Sequence, residues 1–100
     1  MTKTNLNNRL KMTKTKLNNK SKKEQIKAIQ HYPYLINYVE NPSEKLQLEA
    51  VKKNGYCIRF IYNPFEKVQL EAIKRDLPCF TLILNPTKKV KLLYALLTKV

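Results

Sequence analysis

"NPSEKLQLEAVKKNGYCIRFIY" occupies Asn41 to Tyr62, and "NPFEKVQLEAIKRDLPCFTLIL" follows it directly from Asn63 to Leu84. The two stretches are copies of one 22-residue repeat, and a third Asn-Pro at Asn85 follows with the same period. One period before Asn41, residues 19–40 fit the template more weakly and without its Pro. Internal repetition of this length is typical of stacked repeat proteins. The chain therefore divides into units 19–40, 41–62 and 63–84 and a truncated unit 85–100.

The first half of each unit is predicted to be an α-helix. In the second unit, Asn41 is expected at the N-cap, Pro42 at the first helical position and Glu44 at the third, where its carboxylate can bond back to the cap. Gly55 is expected to end the helix in the left-handed conformation. Apolar residues at helical spacing form one face of this helix: Leu46, Leu48, Ala50 and Val51.

The second half of each unit is short and apolar, as in "YCIRFI" from Tyr56 to Ile61. Its apolar positions follow the order i, i+1, i+3, i+4, which favours a buried helix over the alternation of a strand. A strand would instead give an α/β solenoid similar to leucine-rich repeats, but the "LxLxxN" ladder of that class is missing. The prediction is an all-α chain: a short right-handed α-solenoid of about three and a half 22-residue helical hairpin repeats over residues 19–100.

The two central units, in particular "NPSEKLQLEAVKKNGYCIRFI", resemble a short HEAT-like helical repeat. That family has no assigned function and occurs in tandem in large DNA viruses and some bacteria. The resemblance covers roughly residues 19–100, although the first unit lacks the Pro and the last lacks its second half. It implies an α-helical repeat and a viral or bacterial setting, and it leaves the activity open.

A different repeat precedes these units. "MTKTNLNNRLK" (Met1 to Lys11) and "MTKTKLNNKSK" (Met12 to Lys22) match at eight of eleven positions. Their Thr, Asn and Lys content offers little apolar surface to bury, so residues 1–18 are predicted to form a disordered N-terminal arm. The duplication also makes Met12 a candidate second start of translation. Basic arms of this kind often become ordered on nucleic acid.

The charge balance favours an anionic partner. The chain has 20 Lys and Arg against 7 Asp and Glu, for a net charge of +13, and residues 1–23 hold eight bases without an acid. The leading hypothesis is a non-enzymatic adaptor that engages RNA, DNA or a ribonucleoprotein through its arm and through lysine columns created by stacking. The predicted contacts are Lys3, Arg9, Lys11, Lys14, Lys16, Lys20, Lys22, Lys23, Lys45, Lys52, Lys53, Lys67, Lys74, Arg75 and Lys89. Alternatively the columns are a solvated face, since Glu49 and Glu71 interrupt them.

The last unit departs from the template in a way that predicts a protein contact. Positions that carry Glu, Lys or Arg in the central units become leucine in "NPTKKVKLLYALLTKV". A terminal repeat is expected to be polar outside. The predicted docking residues, for a protein partner or for self-association, are Leu93, Leu96, Leu97 and Val100. The rival function is thus a protein-directed module, such as a viral or mobile-element inhibitor or scaffold, whose basic charge docks on an acidic face.

Nothing in the sequence predicts an enzyme or a cofactor. A single glycine cannot form a phosphate-cradling loop, and His31 is the only histidine. Cys57 and Cys79 share one template position and are predicted to be buried, reduced thiols. Gln25, Gln47 and Gln69 also recur with the period, and a ladder of hydrogen bonds between units is favoured over base reading.

The sequence predicts an intracellular, soluble protein. It has no apolar signal segment and no run of about 18 apolar residues that could span a membrane. Residues 1–23 share a basic, acid-free composition with organelle transit peptides. However, they are rich in Lys and Asn where such peptides favour Arg and Ser, so targeting is not favoured.

Overall fold

The computed structural model describes residues 17–99. After a helical turn at residues 17–19, α-helices alternate with 3-10 helices. In chain order these are α1 (Lys22–His31), η1 (Pro33–Tyr38), α2 (Glu44–Lys53), η2 (Gly55–Phe60), α3 (Glu66–Arg75), η3 (Leu77–Leu82) and α4 (Lys88–Thr98). Residues 17–99 contain no strand, so the all-α prediction is confirmed and the α/β alternative is wrong.

The second half of each complete unit is a 3-10 helix of six residues. Pro33 and Pro78 lie at the start of η1 and η3. Proline suits this position because its φ is fixed near the helical value and because the first N–H groups of a helix have no partner within it. Asn54 starts η2, because its side chain accepts a hydrogen bond from the N–H of Tyr56 at 3.0 Å. Because a 3-10 helix has about three residues per turn, residues three positions apart lie on the same side of it. Ile58 within η2 and Ile61 just after it are both buried accordingly.

The predicted N-caps are wrong by two residues. Ser43 caps α2, and its Oγ accepts a hydrogen bond from the N–H of Leu46 at 3.2 Å. Glu44 is therefore the first residue of the helix rather than the third. Asn41 lies before the cap with φ of 49°, a left-handed conformation that Asn tolerates better than most residues. The Asn-Pro pair thus forms the turn that leads into the helix.

The other α-helices begin at the same template position. Thr87 caps α4 through a bond from Val90 N–H at 3.2 Å, and Ser21 forms a full capping box with Glu24 at α1. Hydrogen bonds from Ser21 lower the pKa of the Glu24 carboxyl. Phe65 is the exception, since it occupies the N-cap of α3 without a side chain that can accept a bond.

Gly55 does not end α2 in a left-handed conformation, because its φ is not positive. It is instead the buried first residue of η2. A Cβ atom here would lie 3.3 Å from Cys79 Sγ and 3.3 Å from Asp76 Oδ2. A side chain at position 55 would therefore fit only if Cys79 and Asp76 moved by a few tenths of an ångström.

The helices form two layers with the core between them. Successive α-helices pack side by side in the order α1, α2, α3, α4, and η1, η2, η3 form the second layer. Buried side chains recur at equivalent template positions, including Ile29, Val51 and Ile73, then Leu46, Val68 and Val90, then Cys57 and Cys79. Both cysteines are buried and free, as predicted, and burial raises their pKa.

Glutamines that recur with the 22-residue period join neighbouring units. Gln47 is only 3% exposed; its Nε2 donates to Pro42 O at 3.1 Å, and its Oε1 accepts from the N–H of Phe65 at 3.2 Å. Gln69 repeats this geometry with Pro64 and Thr87. The predicted ladder of inter-unit hydrogen bonds is confirmed at both places.

The packed body begins before residue 19. Leu17 is buried in the core, and its carbonyl accepts a 2.7 Å hydrogen bond from Gln25 Nε2. Asn18 donates to Tyr38 O and accepts from Glu40 N–H. Of the arm predicted over residues 1–18, Leu17 and Asn18 therefore belong to the packed body, and residues 1–16 lie outside the described residues.

Candidate nucleic-acid interface

Four lysines occupy the second position of the four α-helices between residues 22 and 99, and all four are exposed. Because the α-helices pack side by side in chain order, these lysines follow one edge of the α layer. We call this set the N-terminal lysine column. It consists of Lys23, Lys45, Lys67 and Lys89.

Local helix physics does not explain this column. A helix carries partial positive charge at its N-terminus, so cations there are unfavourable and anions are favoured. Glu44 and Glu66 at the adjacent first position of α2 and α3 follow that preference, while the column opposes it. In α4, Lys88 replaces this glutamate, so two cations stand at the helix start. The positive end of each helix therefore adds to the field of its lysine.

The second predicted group lies at the other end of the helices. Lys52 and Lys53 are in the last turn of α2, and Lys74 and Arg75 are in the last turn of α3. Cations are favoured there by the helix dipole, so their position has a structural explanation. Lys52 lies seven residues beyond Lys45, about 10 Å along the helix axis. We call these four residues the C-terminal basic strip.

The remaining predicted phosphate contacts divide between described and undescribed residues. Lys20 and Lys22 are exposed at the entrance to α1. The other arm residues lie outside the described residues: Lys3, Arg9, Lys11, Lys14 and Lys16.

Two concave surfaces adjoin the N-terminal lysine column. A cleft of about 190 Å³ between α1 and α2 is bordered by Lys22 and Lys45. A larger groove of about 580 Å³ lies between the turns that precede α2 and α3. Ser43 lines both of them, so the basic cleft and the groove are neighbours on the surface.

Exposed aromatic residues in this larger groove were missed by sequence reasoning. Phe60, Tyr62 and Phe65 all line it, and each exposes more than a third of its surface. A signal for Phe65 exists in the sequence, since it replaces the Ser or Thr found at this template position in the other units. The substitution is noticeable only when the N-cap of the helix is assigned to the template position of Phe65.

The glutamines of the template are unsuited to base reading. Gln47 and Gln69 are buried, and each carboxamide already donates one hydrogen bond and accepts another. Their structural role therefore accounts for their recurrence with the period.

The C-terminal helix divides into a packed side and an exposed side. Leu93 packs against the core, and Tyr94 stacks on Phe80 with ring centroids 3.9 Å apart. Leu96 is 61% exposed and Leu97 46% exposed, and Leu92, which was not predicted, is 61% exposed. Val100 lies outside the described residues. We call Leu92, Leu96 and Leu97 the leucine face.

His31 is exposed beside Tyr32, with ring centroids 6.3 Å apart. Within residues 17–99, no group of three His, Cys, Asp or Glu side chains is placed to hold a metal ion. In the same part of the chain, no helix combines the length and the apolar character needed to cross a membrane.

No protein-family model, curated protein or solved structure matches this chain. The resemblance to a HEAT-like repeat family therefore stays a prediction.

Proposed function

We propose that this chain is a short α-solenoid of about three and a half 22-residue units, and that it is a non-enzymatic module for binding nucleic acid or a ribonucleoprotein. The packing of each α-helix on the next, and of each 3-10 helix on the next, supports the solenoid. The N-terminal lysine column is the observation that carries the binding function. A row of cations placed against the local preference of each helix fits a requirement for anions.

The predicted path of the nucleic acid follows the edge where the α-helices begin. Phosphates would contact the N-terminal lysine column, and the basic arm would add contacts next to α1. The net charge of +13 steers any polyanion to the protein, so total charge alone does not distinguish this path from diffuse attraction. The test must therefore compare variants that have the same net charge.

Two matched variants meet this requirement in the full chain. The first changes the N-terminal lysine column to glutamine (Lys23→Gln, Lys45→Gln, Lys67→Gln, Lys89→Gln). The second changes the C-terminal basic strip to glutamine (Lys52→Gln, Lys53→Gln, Lys74→Gln, Arg75→Gln). Both lose four positive charges. Binding of labelled RNA and DNA is measured by fluorescence anisotropy across a salt series.

The column variant is expected to lose more affinity than the strip variant, and its salt slope should fall by up to about 0.7 to 0.9 for each phosphate contact removed. Equal losses in both variants would mean diffuse attraction and would remove the proposed path. An absence of binding to every nucleic acid at low salt would overturn the function. A third variant with Lys3, Arg9, Lys11, Lys14 and Lys16 changed to glutamine measures the share of the arm.

The leucine face favours a second candidate, a scaffold or inhibitor module that acts by protein contact. Three exposed leucines on one helix form an apolar surface of the kind that mediates protein contacts. The variant Leu92→Gln, Leu96→Gln, Leu97→Gln leaves Leu93 and the core intact. If the face mediates self-association, light scattering should give a multimer for the parent chain and a monomer for the variant. Identical masses would remove self-association.

A further inference from the structure

The groove between the turns before α2 and α3 differs in chemistry from the basic edge beside it. It is formed by the ends of η1 and η2 and by the chain segments that follow them, 39–43 and 61–65. Its volume of about 580 Å³ is within the range of small-molecule sites. None of the residues that line it is charged. A phosphate group would therefore find no counter-charge inside, whereas a neutral, flat group would be accepted.

The exposed aromatic side chains supply the main binding surface of the groove. Tyr62 is 78% exposed, Phe65 48% and Phe60 37%, and all three line the same concavity. Side chains of this size normally contribute to a core, and at the N-cap of α3 phenylalanine even replaces a stabilising cap. Aromatic rings gathered in a concave, exposed place can stack on planar ligands.

Polar groups in and beside the groove fit the edges of nucleobases. Asn37, Asn41 and Asn63 line it, and each carboxamide offers both a hydrogen-bond donor and an acceptor. The guanidinium carbon of Arg59 lies 5.3 Å from the centre of the Phe60 ring, so a cation stands next to one of the groove's aromatic residues. The lysine-bordered cleft that shares Ser43 with the groove supplies positive charge for phosphates.

We infer that the groove takes unpaired bases of a single-stranded nucleic acid, which stack on Tyr62 and Phe65 while the adjoining phosphates contact Lys22 and Lys45. This inference rests on the proposed function and adds a preference for single strands. A duplex keeps its bases stacked inside, so it can use only the lysine column. Stacking on aromatic side chains tolerates every base, and it therefore predicts affinity without strong sequence preference.

The first test separates bases from phosphates in the full chain. A labelled single-stranded oligonucleotide is compared with an abasic strand of equal length and charge, and with a duplex. The parent chain should bind the single strand at least about tenfold more tightly than the abasic strand. Tyr62→Ala with Phe65→Ala should remove that advantage and leave binding of the abasic strand unchanged. Tyr32→Ala is the matched control, because Tyr32 is exposed and lies outside the groove.

The second test uses the absence of tryptophan from the sequence. Tyr62→Trp introduces a single indole into the groove, and Tyr32→Trp introduces one outside it. Stacking on bases should quench the first indole on addition of the single strand, but not on addition of the abasic strand, while the second should be unaffected. Circular dichroism confirms that each variant is folded.

The outcomes distinguish this inference from the proposed function. If single and abasic strands bind equally and the groove variants change nothing, the groove does not take bases, and the lysine column can still bind phosphates. If no nucleic acid binds at low salt, the proposed function fails and the groove inference fails with it. That last result would leave a groove suited to an extended peptide, since its lining is apolar and rich in amides.

Discussion

The carboxamide of Gln47 bonds to two successive units at once. It donates to Pro42 O in its own unit and accepts from the N–H of Phe65 at the start of the next. Gln47→Met keeps the volume of the side chain but leaves both part-buried backbone groups without this partner. We expect the free energy of unfolding to fall by about 2 to 4 kcal/mol in urea denaturation followed by circular dichroism. Lys91→Met, at the same template position of α4 but exposed, should change it by less than about 0.5 kcal/mol.

The buried thiol of Cys79 is expected to lower the stability of the fold at alkaline pH. Burial, with smaller contributions from the charges of Asp76 and Cys57, raises its pKa to about 11 from an ordinary value of 9.0. The folded state therefore retains the neutral thiol where the unfolded chain would ionise. This contribution is complete below about pH 9 and is lost as the pH rises through about 11.

Denaturation curves measured between about pH 8 and pH 11 test this. Lysines also lose charge in this range, so the informative quantity is the difference between the parent chain and Cys79→Ala. The variant should be less stable at pH 8 because of the cavity it creates. Its free energy of unfolding should nevertheless fall less steeply with pH than that of the parent chain. Parallel curves would contradict the prediction.

At the scale of the helix, the start of α3 lacks the side-chain cap that α1, α2 and α4 have. Phe65→Ser restores the residue type found at Ser21 and Ser43, whereas Phe65→Ala removes the ring without adding a cap. We expect Phe65→Ser to be more stable than Phe65→Ala by about 1 kcal/mol, because its hydroxyl can accept from the N–H of Val68. Thermal and urea denaturation of the two variants measure the difference. Equal stabilities would mean that position 65 does not cap the helix.

Some features of these helices could be predicted from the sequence and others could not. Period and apolar spacing were enough to predict helices, the buried cysteines and the inter-unit glutamines. The N-cap was misplaced because both Asn41 and Ser43 are good capping residues, and only the path of the turn decides between them. Over six residues, apolar spacing cannot distinguish about 3.0 from about 3.6 residues per turn, so the 3-10 geometry was not predicted. The groove depends on how two turns converge in space, which no local pattern records.

At the scale of the whole molecule, stability is expected to be graded along the chain. The helices α2 and α3 each pack between two α-helices, whereas α4 packs on α3 and presents the leucine face on its exposed surface. In a stack, each unit is stabilised mainly by its neighbours, so an end unit opens more easily than an inner one. The inter-unit hydrogen bonds of Gln47 and Gln69 add to the stability of the inner units.

Native-state hydrogen exchange should therefore give the slowest exchange in α2 and α3, and faster exchange toward the end of α4. Val90 is fully buried at the first turns of α4, so its amide should be better protected than those of Leu96 and Leu97. Gln47→Met should speed exchange on both sides of the lost bond, in α2 and at the start of α3. Uniform protection from α1 to α4 in the parent chain would instead mean that the molecule opens as one cooperative unit. Such a result would indicate that α4 is packed on both sides in solution, as α2 and α3 are. The leucine face would then be covered by a further contact.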